Sequence, residues 1–312
     1  MRSAAIIALV GPTGVGKTEL ALQVAERLDA EIVNADSRQV YRHLDIGSAK
    51  PTPAQRVRVP HHLLDVVDPD EPFDCARYRE LALQAIADVQ GRRRAVLLVG
   101  GTGLYLKVLM GGLFPGPPRD AELRRQLEAE EAVTPGVLHR RLQQLDSAAA
   151  RRLHPHDRAR IVRALEVALL THRPISEWQA AHAFSDHRLQ IIPIGLTLER
   201  PLLYERINIR CRAMIDAGLV DEVRALWRRG FGPDLPPLRS IGYAEVGAFL
   251  RGEMTLEAAL EHMTRATRHL AKRQLTWFRA TPGLRWCDAG SSTDAIIAAA
   301  TSGGRGLWYR PS

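Results

Sequence analysis

The run Gly11-Pro12-Thr13-Gly14-Val15-Gly16-Lys17-Thr18 restricts this chain more than any other stretch. It follows the apolar segment Ile6-Ile7-Ala8-Leu9-Val10, which reads as a buried strand, and precedes Glu19 to Leu28, where Leu20, Val24 and Leu28 share one helical face. Strand, glycine loop and helix in that order, with the spacing Gly-x-x-x-x-Gly-Lys-Thr, make a phosphate-binding loop. Its glycines let backbone N–H groups converge on phosphate oxygens, Lys17 adds a point charge, and the Thr18 hydroxyl can ligate Mg²⁺. The loop leaves open whether the phosphates belong to ATP, to GTP or to another ligand.

Beyond it, Glu31-Ile32-Val33-Asn34 reads as a second strand and Ala95-Val96-Leu97-Leu98-Val99 as a third, with a helix from Phe73 to Val89 between them and a weaker strand candidate from His62 to Val67. The third strand stops at Gly100-Gly101-Thr102-Gly103, and a helix begins at Leu104. This alternation predicts an α/β fold, a P-loop NTPase-like parallel sheet core with an inserted all-helical domain. Ligands of such sheets sit at the carboxyl ends of the strands, so the loops at 11–18, 36–39 and 100–103 are expected at one edge.

The Gly/Pro cluster from Gly111 to Pro118 breaks the rhythm. From Asp120 to about Ala183 only helices are expected, at 120–131, 135–145, 147–153 and 157–170, and a strand pattern returns at Leu189 to Leu198. The expected organisation is therefore core at 1–116, helical insertion at 117–188, and core completion with C-terminal helices at 189–312. Helices are predicted at 202–217, 220–229 and 256–279. On the last, Leu260, Met263, Leu270 and Trp277 share one face, opposite Arg265, Arg268, Lys272 and Arg279. The tail from Ala289, with Gly303-Gly304 and Arg305-Gly306, is expected to be loosely ordered.

Net charge is +8, concentrated away from the phosphate loop: residues 138–163 hold seven arginines against two aspartates. That favours a polyanionic partner without naming it. No run of about 18 apolar residues exists and Met1-Arg2-Ser3 leads straight into the first strand, so neither a transmembrane span nor a signal peptide is expected and the protein reads as cytoplasmic. Cys75, Cys211 and Cys287 lie far apart, which suggests neither a zinc site nor a disulfide frame.

A phosphate-loop NTPase normally carries a second carboxylate at the end of an apolar strand, yet Gly100-Gly101-Thr102 follows Val99. The nearest acid is Asp36, which at the shared sheet edge reads as a Mg²⁺ partner, as a general base, or as a turn or capping residue. Thr102 reads either as a helix cap or as a hydrogen-bonding group toward a ligand.

Six segments together resemble the bacterial tRNA dimethylallyltransferase family: residues 11–18, 34–41 (Asn-Ala-Asp-Ser-Arg-Gln-Val-Tyr), 45–51 (Asp-Ile-Gly-Ser-Ala-Lys-Pro), 98–105 (Leu-Val-Gly-Gly-Thr-Gly-Leu-Tyr), 239–243 (Arg-Ser-Ile-Gly-Tyr) and 272–279 (Lys-Arg-Gln-Leu-Thr-Trp-Phe-Arg). The resemblance spans Ile6 to about Trp286 and implies transfer of a dimethylallyl group from dimethylallyl diphosphate to N6 of the adenosine 3′ to the tRNA anticodon. It implies that the loop, with Lys17 and Mg²⁺ on Thr18, stabilises a diphosphate leaving group, that Asp36 receives the N6 proton and that Thr102 fixes the substrate. Arg206 and Arg210, one helical turn apart just after the Leu189–Leu198 strand, read either as groups that reach the diphosphate, with Arg210 the candidate, or as an ordinary exposed helix face.

Matching positions imply contact with the anticodon stem-loop of tRNA by Asp36, Ser37, Arg38, Gln39 and Thr102, by Arg124, and by Ala159, Arg160, Ile161, Val162 and Arg163 in the insertion. The same holds for Arg239, Ser240, Ile241, Gly242, Tyr243 and Ala244, and for Lys272, Arg273, Gln274, Leu275, Thr276, Trp277, Phe278 and Arg279. A monomer without membrane contact and without the C-terminal zinc finger of eukaryotic relatives is expected. Two other readings stand on the loop and the charge: a small-molecule or nucleoside kinase, and an RNA-binding ATPase that makes no covalent product.

Overall fold

Strand β1 (Ile6–Val10) is buried at every residue, as a strand covered on both faces of a parallel sheet must be. The structure is a computed structural model that describes residues 6–183, 186 and 189–301. After β1 come α1 (Lys17–Leu28), β2 (Ala30–Asn34), α2 (Pro53–Arg58), β3 (His61–His62), α3 (Cys75–Gly91), β4 (Ala95–Gly100) and α4 (Gly103–Gly111). Helices α5 (Ala121–Val133), α6 (Val137–Leu145), α7 (Ser147–Arg152), α8 (Arg158–Thr171) and α9 (Ile175–His182) follow. The chain then runs through β5 (Ile191–Thr197), α10 (Arg200–Asp216), α11 (Leu219–Arg228), a 3₁₀ turn at Pro236–Arg239, α12 (Tyr243–Leu250), α13 (Leu256–Arg279), β6 (Arg285–Asp288) and α14 (Thr293–Thr301).

The six strands pair in parallel in the order β3-β2-β4-β1-β5-β6. In register, Val10 lies beside Gly100 and Gly195, and Asn34 beside Val99, so the loops after β1, β2 and β4 leave the same edge of the sheet. Two units divide between residues 109 and 110 and between 188 and 189. One holds the whole sheet, with a core that runs from Leu9, Leu22 and Leu97 to Ile207, Val223, Met263 and Ala271.

The second unit is all helical among its described residues, around Leu127, Leu142, Ile161, Leu165 and Val167. Asp120, Asp146 and Asp157 each cap a helix there, accepting hydrogen bonds from the N–H groups of Leu123, Ala149 and Arg160. The most deeply buried of its charged side chains is Glu166, which takes Arg124 in a two-pronged ion pair at 2.7 and 2.8 Å and Arg163 at 2.5 Å. These bonds, with one from the Asp120 N–H, outweigh burial and hold the Glu166 carboxyl down at about 2.

Several sequence expectations change. The first boundary falls at 109/110 rather than 116/117. The strand expected at 62–67 shrinks to β3, and only Val67 pairs again, in a single bridge with Tyr41. Short helices α2, α9 and α12 lacked a long enough periodic pattern to be read. The region after α13 is not purely helical, because β6 adds an edge strand beside β5, and within the tail residues 293–301 form α14; Gly303 to Gly306 lie outside the described residues. On α13 the packed stripe is Ala259, Leu260, Met263, Ala271 and Phe278, whereas Trp277 stays 40% exposed.

Candidate active site

The three loops meet in one cavity of about 720 Å³ at the carboxyl edge of the sheet, walled entirely by the sheet-bearing unit. Its floor is the phosphate loop. Gly14 and Gly16 take φ of 81° and 103°, which side chains disfavour, and this turns the chain so that Thr13, Gly14, Gly16, Lys17 and Thr18 line the cavity. The first-turn N–H groups of α1 have no acceptor within the helix and, with the helix dipole, favour an anion there. Gly11, Pro12 and Val15 are buried beneath the loop and support it from below.

Lys17 donates to the carbonyls of Gly11 at 3.0 Å and Pro12 at 2.8 Å. Burial and the Arg210 charge pull its pKa down to about 7, against the opposing pull of Asp36. Arg210 is itself lowered by burial, with Asp36 acting to raise it. Arg206, also on α10, lines the cavity and donates to the Val15 carbonyl at 3.3 Å. Both arginines named as alternatives for the diphosphate therefore line the cavity with the loop, and the last turn of α10 adds Met214 to the wall.

Asp36 and Thr102 stand in the same wall. Asp36 accepts the Arg38 N–H at 2.8 Å, which fixes its carboxylate in a turn, and Thr102 Oγ1 accepts the Ser37 N–H at 3.0 Å. Asp36 thus accepts a turn hydrogen bond and lines the cavity at the same time. Gly100 is required here by proximity, since a Cβ would run into the Ala35 backbone. Gln274 of α13 completes the frame: its Oε1 accepts the Thr13 N–H and its Nε2 donates to the Gly101 carbonyl, both at 2.9 Å. One amide therefore ties the phosphate loop to the loop after β4.

The remaining wall is less polar, with Cys211, Met214, Ile241, Met263 and Leu270 beside Thr267, Ser240 and Arg239. Sequence reasoning missed Met214, Met263 and Gln55 as lining residues, because isolated apolar or amide side chains carry no local motif. Among the residues that the resemblance assigned, Asp36, Ser37, Arg38, Gln39, Thr102, Arg239, Ser240, Ile241 and Gln274 line this cavity. Lys272, Arg273, Thr276 and Trp277 instead line a second hollow of about 480 Å³ with His269 along α13. Arg279 and Ala244 are exposed, Leu275 is half-buried, and Gly242, Tyr243 and Phe278 are buried.

Arg268, expected in the basic stripe, stacks over Tyr204 and hydrogen-bonds Asn208 Oδ1, so α10 takes it. In the helical unit Ala159 and Arg160 are exposed on the first turn of α8, Ile161 and Val162 are buried, and Arg124 and Arg163 serve Glu166. No group of three or more His, Cys, Asp or Glu side chains suited to a metal occurs among the described residues.

A family profile described as IPP transferase matches residues 39–281. A tRNA dimethylallyltransferase of Syntrophobacter fumaroxidans is 50% identical over 94% of this chain and 86% of its own length. The chain belongs to the tRNA dimethylallyltransferase family. A second member, from Geobacter sulfurreducens, is 49% identical over 93% of this chain and 94% of that one. Among solved structures, the full-length tRNA isopentenylpyrophosphate transferase of Bacillus halodurans is similar with a TM-score of 0.69 at 39% identity, covering 94% of this chain and 93% of that one. A eukaryotic dimethylallyltransferase solved while acting on tRNA is similar with a TM-score of 0.77 at 29% identity, covering 91% and 74%. The family is one of tRNA dimethylallyltransferases, neither kinases nor ATPases, which sets aside those two readings of the phosphate loop.

Proposed function

We propose that this tRNA dimethylallyltransferase-family chain transfers the dimethylallyl group of dimethylallyl diphosphate to N6 of the adenosine 3′ to the anticodon of tRNA. One observation carries the reading: a single cavity is lined by a phosphate loop with Lys17, by Arg206 and Arg210, by Asp36 and Thr102, and by the apolar side chains of Met214, Ile241, Met263 and Leu270. That is the set of groups a prenyl diphosphate and a nucleophile need together.

The diphosphate sits on the phosphate loop, with its negative charge met by Lys17, the two arginines and the N–H groups at the start of α1. The apolar wall receives the five-carbon chain. As the allylic C1–O bond breaks, its electron pair leaves on diphosphate; N6 of the adenine forms the new bond to C1 and its proton passes to Asp36. Thr102 orients the acceptor beside Asp36, whose carboxylate the Arg38 N–H already holds in place.

Oxygen donors suit Mg²⁺, and the Thr18 hydroxyl, which lines the cavity, would hold it together with diphosphate oxygens and water. Its chemistry there is to neutralise charge on the leaving group. On this reading the loop works on the donor's diphosphate and not on ATP. A flipped, single-stranded anticodon-loop adenine is the form of acceptor such a cavity admits. The exposed Lys272, Arg273, Arg279 and Arg160 supply phosphate contacts to the stem-loop.

On this reading the protein works as a monomer, and no helix of the described residues is long and apolar enough to cross a membrane. The cytoplasm is where such a tRNA acceptor is met. The test is mass spectrometry of tRNA incubated with the protein, dimethylallyl diphosphate and Mg²⁺. A gain of one C₅H₈ unit on a single adenosine is expected, inhibited by inorganic diphosphate and indifferent to ATP. Unchanged tRNA, or transfer of labelled γ-phosphate from ATP, refutes it.

A further inference from the structure

Glu222 lies on α11, outside the cavity lining, and outside every motif that carried the family resemblance. Its carboxylate accepts four hydrogen bonds. Oε2 takes the N–H groups of Asp45 at 3.0 Å and Ile46 at 2.7 Å; Oε1 takes the Gly47 N–H at 3.2 Å and the Tyr243 hydroxyl at 2.7 Å. Four donors match the acceptor capacity of one ionised carboxylate, and successive N–H groups aimed at one anion form a nest.

The nest joins two segments that do line the cavity. On one side Gly47 is followed by Ser48 and Ala49, both cavity residues, whose carbonyls receive Gln39 Nε2 at 3.2 and 3.1 Å. Gln39 belongs to the segment of Asp36. On the other side Tyr243 follows the lining residues Arg239, Ser240 and Ile241. Its ring is packed so close to Gly47 that a Cβ there would lie 2.5 Å from ring carbons. Tyr243 is 2% exposed, and burial and the Glu222 charge raise the pKa of its hydroxyl, so it stays a donor.

We propose that Glu222 is a positioning residue for the transfer. It pins the loop at 45–49 to the start of α12 and so sets the gap between the Gln39–Ala49 wall and the Arg239–Ile241 wall. The inference rests on the transfer reading above. It also gives Tyr243 a role on the inside of the site, in place of a contact with tRNA. Glu222 is the residue type the nest demands: a glutamine would bring one oxygen and an NH₂ that faces N–H groups, and an aspartate is one methylene short.

The experiment compares wild type, Glu222→Gln, Gly47→Ala and Tyr243→Phe at a temperature below every variant's melting point. It measures amide hydrogen exchange at Asp45, Ile46 and Gly47, single-turnover transfer, and tRNA affinity. Glu222→Gln and Gly47→Ala should exchange those amides faster and lose turnover by about tenfold or more, and Tyr243→Phe by about threefold, all with tRNA affinity unchanged. Wild-type turnover in Glu222→Gln, or slowed turnover with protected amides, overturns the proposal. Should Glu222→Gln fail to fold, Tyr243→Phe decides, and wild-type exchange and turnover there overturn it. A wild-type protein that makes no prenylated tRNA refutes the transfer reading instead, which the exchange data distinguish.

Discussion

Raising the pH should weaken donor binding through Lys17. In the ligand-free cavity this amine has a pKa near 7, held down by burial and by Arg210, while its ordinary partner there is a pair of backbone carbonyls. A diphosphate favours the charged form, so above pH 7 each binding event must first recharge the lysine. One pH unit costs about 1.4 kcal/mol, so donor affinity should fall about tenfold per unit once pH exceeds 8. The window lies above the second ionisation of a phosphate at about 6, so the ligand's own titration does not interfere.

Folding stability has the opposite sign. Between pH 7 and the ordinary lysine value of 10.5 the unfolded chain binds a proton that the folded, ligand-free chain lacks, so this group makes the empty protein more stable as pH rises. Calorimetric titration with dimethylallyl diphosphate and Mg²⁺ at pH 7, 8 and 9, in buffers of differing ionisation enthalpy, should show weakening affinity and a proton uptake that rises from about half a proton at pH 7 to nearly one at pH 9. Lys17→Arg, always charged, should bind with little pH dependence. An affinity flat from pH 7 to 9 without proton uptake in the wild type would refute the argument.

Asp36→Ala should keep tRNA affinity, read by filter binding, and lose single-turnover rate by about 10²- to 10⁴-fold as expected for a positioned base; near-normal turnover removes the base assignment. Gln274→Ala frees both the Thr13 N–H and the Gly101 carbonyl, and should raise the donor KM by about tenfold while tRNA affinity stays within error. Glu166→Gln breaks the paired, buried carboxylate of the helical unit and should cost about 3 kcal/mol in urea unfolding. The Glu166 contribution is complete above the ordinary carboxylate range and is lost as pH falls toward about 2, so an acid titration should melt that unit early. Tyr78→Phe should melt at the same or a higher temperature, since its hydroxyl is buried with no partner among the described residues; a clear loss of stability would point to a hidden partner.

What could be read in the sequence was what neighbouring residues determine together. The phosphate loop, the buried runs of β1 and β4, and the insertion's capped helices are all set within about a dozen residues. So was the placing of Asp36 and Thr102 at one edge, because a parallel sheet admits no other arrangement of those strand ends. Residues that act across the chain left no such trace. Gln274 meets Thr13 across 261 positions and Glu222 meets Gly47 across 175, and neither sits in a pattern that announces its partner. The four-residue β6 and the Gly- and Ser-flanked α14 were too short to be periodic, and they form because β5 and α1 offer surfaces to cover. On α13, Trp277 and Phe278 are neighbours in sequence about 100° apart on the wheel, and only tertiary packing decides which of them goes inside.

The strand order has a consequence for the chain as it is made. Until β5 appears, β4 and β2 occupy one side of β1, and the other side of Ile6–Val10 is a bare row of N–H and C=O groups on an entirely apolar segment. That side stays open while residues 101–190 leave the ribosome, which takes roughly 5–20 s at ordinary synthesis rates. Open apolar edges are the ones other chains pair with. A nascent chain stalled in the helical unit therefore carries an open apolar edge beside its phosphate loop; the arrival of β5 closes the edge, and α10 and α13, made later still, complete the site.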